Sequence, residues 1–138
     1  MSKLALEDNQ MCYACGTKNP YGFRLNFEHP QKGVLKASVI FSEHHQGFKG
    51  IVHGGMMATL LDEVMLNLAW VEGAPAVTAE LRVRLLKPAK TGRKIHFEGR
   101  LDDAKAKLLK TSAVAKNEKG EVLATARGTC VRIKIEVS

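Results

Sequence analysis

His53, Gly54 and Gly55 stand directly before a run of apolar residues that carries two adjacent acids, Asp62 and Glu63. Each of these types has a use at a reacting carbonyl. Backbone N–H groups at a helix start have no intrahelical acceptor and sit at the positive end of the helix dipole. They can therefore hold an oxygen that gains negative charge. Glycine lets a substrate approach that backbone. A carboxylate in an apolar helix is costly unless paired or hydrated, and one that faces a pocket can act on water. The plainer readings are a permissive turn before a helix, and acids that reach the surface or bond to a loop. Gly54 and Asp62 are eight residues apart, which is about 12 Å at ~1.5 Å per helical residue. One carbonyl cannot touch both. If they share a site, the helix start of one subunit must meet the acid of another, an arrangement that a two-fold dimer of antiparallel helices supplies twice.

The elements that position these residues follow from pattern. A helix is expected over 54–71, stopped by Gly73 and Pro75. On it, Thr59, Glu63 and Asn67 form one narrow polar stripe with Asp62 beside Thr59, and the remaining surface is apolar. The preceding loop, 42–53, is rich in His, Gly and Gln, and its length and polarity mark it as a site candidate. Strands are expected at about 23–28, 34–41, 76–87, 93–101, 107–116 and 122–136, the first two as a hairpin, while 1–22 reads as irregular. Strict alternation in the third strand puts Val77, Ala79, Leu81, Val83 and Leu85 on one face and Thr78, Glu80, Arg82 and Arg84 on the other. In the last strand Ala124, Ala126, Gly128 and Cys130 form a small-residue face that admits another backbone. One apolar helix and a mostly antiparallel sheet imply an α+β fold in a single domain spanning 1–138, with the sheet curled around the helix.

Composition narrows the classes of function. The chain has 138 residues, 45% of them hydrophobic, as expected for one globular domain. Asp62, Glu63 and Asn67 interrupt the only long apolar segment, which excludes it as a membrane span. The first residues contain no apolar export signal, so a cytoplasmic location is expected. The net charge of +7 comes from 21 basic residues spread along the chain, with only two Tyr and one Trp for base stacking. That favours a phosphate-bearing small ligand over nucleic acid, with a solvated basic surface as the plainer account. Cys12 and Cys15 form a Cys-x-x-Cys pair, Cys130 is alone, and no further ligands stand at zinc spacing. A tight turn with reduced thiols, and no metal, is the expectation.

Residues 45–63, HQGFKGIVHGGMMATLLDE, resemble the PaaI-like hotdog-fold acyl-CoA thioesterases, as do 12–27, 78–89 and 120–130. The segments occur in the family's order and cover nearly the whole chain. The resemblance implies a hotdog fold, a curved antiparallel sheet wrapped around one long helix. It implies a homodimer, often paired into a tetramer, that hydrolyses acyl-CoA to free acid and CoA. No metal or separate cofactor, and no nucleic-acid or membrane partner, is implied.

By that resemblance Asp62 is the general base or the nucleophile, and the Gly54 N–H holds the thioester oxygen, with Gly55 beside it. His53 shapes the turn and helps polarise the carbonyl. Thr78 matches a hydroxyl that orients water, which its alternation with Glu80 permits only if the strand start is bulged. Gly47 occupies a position where some members carry Asn, and the neighbouring Gln46 offers an equivalent amide. Glu63 is the acid of another hotdog branch and stands as a second candidate. Lys90 and Arg93, in KPAKTGRK, are placed to meet the CoA phosphates at the pocket mouth. Two other readings stay open: a non-catalytic acyl-CoA-binding hotdog module, and a hotdog dehydratase or hydratase using His53 with Asp62.

Overall fold

The structure, a computed structural model, describes residues 2–4 and 6–135. Its centre is the helix α1 (Gly54–Val71), with the bounds read from the pattern. Leu60, Leu61, Val64 and Leu68 are fully buried, and Met57, Met65 and Ala69 nearly so. Each large side chain of this kind contributes roughly 1.5–3 kcal/mol on burial, so the apolar faces of α1 hold it in the sheet. His53 caps its first turn, and Glu72 ends it with an N–H bonded back to Leu68 O.

The described residues form seven strands: β1 (Ser2–Leu4), β2 (Glu28–Gln31), β3 (Val34–Ile40), β4 (Ala76–Leu85), β5 (Lys94–Ala104), β6 (Leu108–Asn117) and β7 (Val122–Ile135). The antiparallel order is β2-β3-β5-β6-β7-β4. The sheet curls so that β3, β4, β5, β6 and β7 all pack on α1. This is the α+β hotdog architecture expected from the sequence.

Several boundaries differ, each for a physical reason. The segment 1–22 is not wholly irregular: Ser2–Leu4 pairs in parallel with the end of β7, from Ser2↔Ile133 to Leu4↔Ile135. Residues 23–27 are not a strand. The Phe23 and Leu25 N–H groups bond instead to Tyr13 O and Ala14 O at 3.0 Å each, and Arg24 takes a positive φ of 49°. Phe23, Leu25 and Phe27 still pack on the core, so the apolar pattern was real while its hydrogen-bond partners lay in the N-terminal loop. Strand β2 begins only at Glu28 and carries His29, Pro30 and Gln31, which read from sequence as the turn. Of the last expected strand, Glu136 lies outside the described residues.

The face assignment of β4 is also corrected. Its pairing with β7 shifts register between Thr78↔Cys130 and Glu80↔Thr129, so Ala79 is an extra, unpaired residue. Such a bulge reverses the parity of the strand. Ala76 is buried and Thr78 meets the helix before the bulge; Val83 packs on the core after it. Val77 and Ala79 therefore do not share the helix-facing side with Val83. The expected close approach of a backbone occurs on β5 rather than β7: a Cβ on Gly99 would lie 2.3 Å from Val64 O of α1. Gly128 of β7 lies instead under the Met65 side chain. Among the described residues no helix is long and apolar enough to cross a membrane.

Candidate active site

The loop before α1 is built on its own backbone. Ser42 caps a 3₁₀ turn at Glu43–His45. The Gly47 N–H donates to Ile51 O at 2.9 Å, His53 N–H to His45 O at 2.8 Å, and Val52 N–H to Ala89 O at 2.8 Å. The Gln46 side-chain oxygen accepts from the Gly50 N–H at 3.0 Å, so its amide serves the loop's own turn. Gly47 lies against the His53 ring, where an added Cβ would meet Cδ2 at 3.5 Å.

His53 ends the loop and caps the helix. Its Nδ1 accepts the Gly55 N–H at 2.9 Å, and its carbonyl accepts from Met56 and Met57. Nδ1 is thus unprotonated, and in the neutral ring the proton sits on Nε2. Among the described residues the Gly54 N–H has no acceptor, as the geometry of a helix start dictates. Gly54 opens onto a groove of about 560 Å³ lined by Gly47, Phe48, His53, Leu85 and Leu86, among others. Leu85 lies over it closely enough that a Cβ on Gly54 would meet Cδ1 at 2.7 Å. Of the two glycines, the first therefore keeps a free donor and the second spends its own on the cap.

Two turns along the helix, the Thr78 hydroxyl donates to Asp62 Oδ1 at 2.7 Å. The β4 bulge makes this bond possible. Cys130, paired with Thr78 across β7, lies buried beneath it. Burial pushes the Cys130 thiol up, hydrogen-bonding contact with Thr78 and Thr111 opposes that, and the Asp62 charge adds to it. Sequence reasoning put Cys130 on the small-residue face of the last strand but did not connect it with Asp62, because only the strand register brings it beneath Thr78. No part of Asp62 lines the groove at Gly54.

Glu63 belongs to different surroundings. Asn67 donates to both its backbone carbonyl and its carboxylate, and Cys12 lies 3.9 Å from Oε1. Burial raises its affinity for a proton, as does the Asp62 charge, while hydrogen bonds from Asn67, Cys15 and Cys12 oppose the rise. Cys15 is pushed up to about 12, by burial first, then by its hydrogen bond with Cys12 and by the Glu63 charge. The structure thus brings Glu63 to the Cys-x-x-Cys turn, while Asp62 meets Thr78.

Lys90 and Arg93 line a second groove of about 360 Å³ together with Lys87, Lys94 and Lys119. Lys87 is paired with Glu121 at 2.8 Å. Lys87, Pro88 and Leu123 border both this groove and the one at Gly54, and a bridge from Ile51 to Lys90 ties the two loops together.

Comparison with known proteins identifies the family. A sequence profile described as the Thioesterase superfamily matches residues 49–124, which is more than half of the chain and contains His53, Gly54, Asp62 and Thr78. Acyl-coenzyme A thioesterase 13 of Mus musculus is 34% identical over 68 residues, 48% of this chain and 47% of that protein. The chain thus spans about half the length of the curated relatives it matches. A crystal structure of a thioesterase superfamily protein superposes with a TM-score of 0.83 at 24% identity, covering 88% of this chain and 60% of the other. A hypothetical thioesterase of Streptococcus pneumoniae, crystallised with coenzyme A, has a TM-score of 0.74 at 18% identity over 78% of this chain and 87% of that one. It has also been crystallised with an aspartate, and separately a threonine, replaced by alanine; those two positions lie sixteen residues apart.

Proposed function

The chain belongs to the thioesterase superfamily, and from that premise we propose that it hydrolyses acyl-CoA thioesters to free acid and CoA. The observation that carries the reading is the free Gly54 N–H at the helix start, opening onto a groove, in a chain that also holds a hydrogen-bonded Asp62. In this mechanism the thioester oxygen is held by the Gly54 N–H, and the His53 Nε2–H adds a second polarising donor. Asp62 takes a proton from water, whose oxygen attacks the carbonyl carbon, or attacks that carbon itself. Thr78 holds Oδ1 and leaves Oδ2 free to act. The tetrahedral intermediate collapses by breaking the C–S bond, and the CoA sulfur leaves with the proton that Asp62 took from water. In the nucleophilic route the acyl group remains on Asp62 as a mixed anhydride, which water then cleaves to the free acid while its protons go to the thiolate and to solvent. No step uses a metal or a separate cofactor.

Gly54 and Asp62 of one chain are too far apart to share a carbonyl, so the working site is composed from two chains. Strand β4 supports this arrangement. Among the described residues it pairs only with β7, and its edge exposes Leu81 and Leu85. Two copies joined along β4 extend the sheet and set the helices antiparallel, so that Gly54 of each faces Asp62 of the other. Pairing of such dimers gives a tetramer. Lys90 and Arg93, in the groove that adjoins the helix start, meet the CoA phosphates. A cytoplasmic location fits this substrate.

The test is release of free thiol from a panel of acyl-CoA thioesters, followed with a thiol-reactive dye against a substrate-free blank that corrects for the protein's own cysteines. Thiol release supports hydrolysis. Binding without release indicates a non-catalytic acyl-CoA module, and hydration of enoyl-CoA without release indicates a hydratase.

A further inference from the structure

Residues 10–25 form a strap across α1, and the strap carries a second cluster of reactive groups. Its turn is tight: the Gly16 N–H donates to Cys12 O at 2.9 Å, and a Cβ on Gly16 would lie 2.4 Å from the Cys12 backbone nitrogen. The strap is seated independently of its cysteines. Ala14 and Leu25 are buried, and Tyr13 packs edge-on against Phe23 at 5.3 Å. Its hydrogen bonds from Phe23 and Leu25 are backbone ones. The Cys-x-x-Cys turn is therefore delivered to the middle of α1 by packing.

There the two thiols meet Glu63, 51 residues beyond Cys12. One sulfur from each of Cys12 and Cys15 and one carboxylate oxygen of Glu63 all lie within 4.8 Å of one another, with Cys15 and Glu63 partly buried. Among the described residues Glu63 has no ion-pair partner: Asn67 and the cysteines supply its side-chain contacts. Three groups that bind a proton or a metal thus converge where no cation answers them.

We propose that Cys12, Cys15 and Glu63 form a zinc site that clamps the N-terminal strap onto α1. Two thiolates and one carboxylate suit Zn²⁺, whose bonds of about 2.3 Å to sulfur and about 2.1 Å to oxygen place neighbouring ligands roughly 3.5–3.8 Å apart in a tetrahedron. The Cys12–Glu63 separation of 3.9 Å needs only a small contraction to meet that spacing. Binding releases the two thiol protons to solvent, and a water completes the fourth position. Asn67, donating to the Glu63 carboxylate, orients this ligand as outer partners do at other metal sites. Only two of the three ligands are neighbours in sequence, which is why no metal was expected there. The clamp bears on Glu63, not on the proposed hydrolytic groups, so it stands or falls apart from the reaction.

The test uses the full chain purified under reducing conditions without chelator. About one zinc per chain is expected by elemental analysis. After removal of metal, titration with Co²⁺ is expected to produce a sulfur-to-cobalt charge-transfer band and the visible bands of a tetrahedral ion. Cys12→Ser/Cys15→Ser should abolish the charge-transfer band, and Glu63→Gln should weaken Co²⁺ binding at least about tenfold. The wild-type measurements need no variant to fold. No stoichiometric zinc together with no charge-transfer band overturns the proposal. So does a Cys12→Ser/Cys15→Ser double variant that binds Co²⁺ as tightly as the wild type.

Discussion

The Thr78 hydroxyl reaches Asp62 Oδ1 at 2.7 Å because Ala79 is looped out of the β4 ladder immediately after it. Without that extra residue, strict alternation would place Thr78 on the face opposite Val83, away from the helix. A single bulge therefore joins a strand hydroxyl to a helix carboxylate, near the start of β4 and inside the segment that matches the superfamily.

Asp62→Asn is expected to lower turnover by at least ~100-fold with the fold intact, since a positioned base contributes roughly 10²–10⁴-fold. The change is isosteric and keeps an acceptor for Thr78. Steady-state thiol release and a thermal melt measure the two effects. Retained activity in this variant, with loss in Glu63→Gln, would transfer the chemistry to the second acid.

Thr78→Val removes the donor without removing bulk. A hydrogen bond to a charged group is worth about 1.5–3 kcal/mol, so a loss in kcat of about tenfold or more is expected, with little change in KM. Thr78→Ser keeps the hydroxyl and should recover most of the rate. If valine and serine behave alike, the bond serves packing alone.

Mixed dimers test the shared site. Asp62→Asn removes the acid and Gly54→Val crowds the oxyanion donor, so each homodimer should be nearly inactive. In the mixed dimer both defects fall in one composite site and the other is whole, so about half the wild-type activity per dimer should return. A private site in each subunit predicts no recovery.

Gly99→Ala should destabilise the fold by roughly 1–3 kcal/mol or more, as overpacking does. The added Cβ would sit 2.3 Å from Val64 O, a backbone atom of the central helix that cannot turn aside. Denaturant midpoints compare the variant with wild type, and an unchanged midpoint would mean that α1 shifts freely on the sheet.

His45 carries the expected pH dependence. Its ring lies 4.7 Å from Phe23 and 5.7 Å from Phe41, and burial, then the charge of His44, lowers its pKa from 6.5. The unfolded chain then binds a proton that the folded chain does not, so stability is lost as pH falls below the unfolded value and levels off below the folded one. His45→Gln should flatten that loss as pH falls below 6.5, followed by denaturant melts across the range. An equal slope in both proteins would assign the effect to other groups.

Sequence alone determined the helix, its bounds and the curled antiparallel sheet, because periodicity and the Gly73–Pro75 stop are local properties. It also singled out His53, Gly54 and Asp62, since an unpaired N–H and an acid in an apolar helix are visible from residue type and spacing. Tertiary structure decided which atoms meet. Gly55 spends its N–H on His53 while Gly54 keeps its own, a matter of one side-chain rotation. Asp62 meets Thr78, and Glu63 meets Cys12, because successive helical residues point about 100° apart and face different elements. The bulge at Ala79, the loop partners of 23–27 and the pairing of β1 with β7 all depend on hydrogen bonds between residues far apart in sequence. No local pattern encodes such a pairing; the packed sheet selects it.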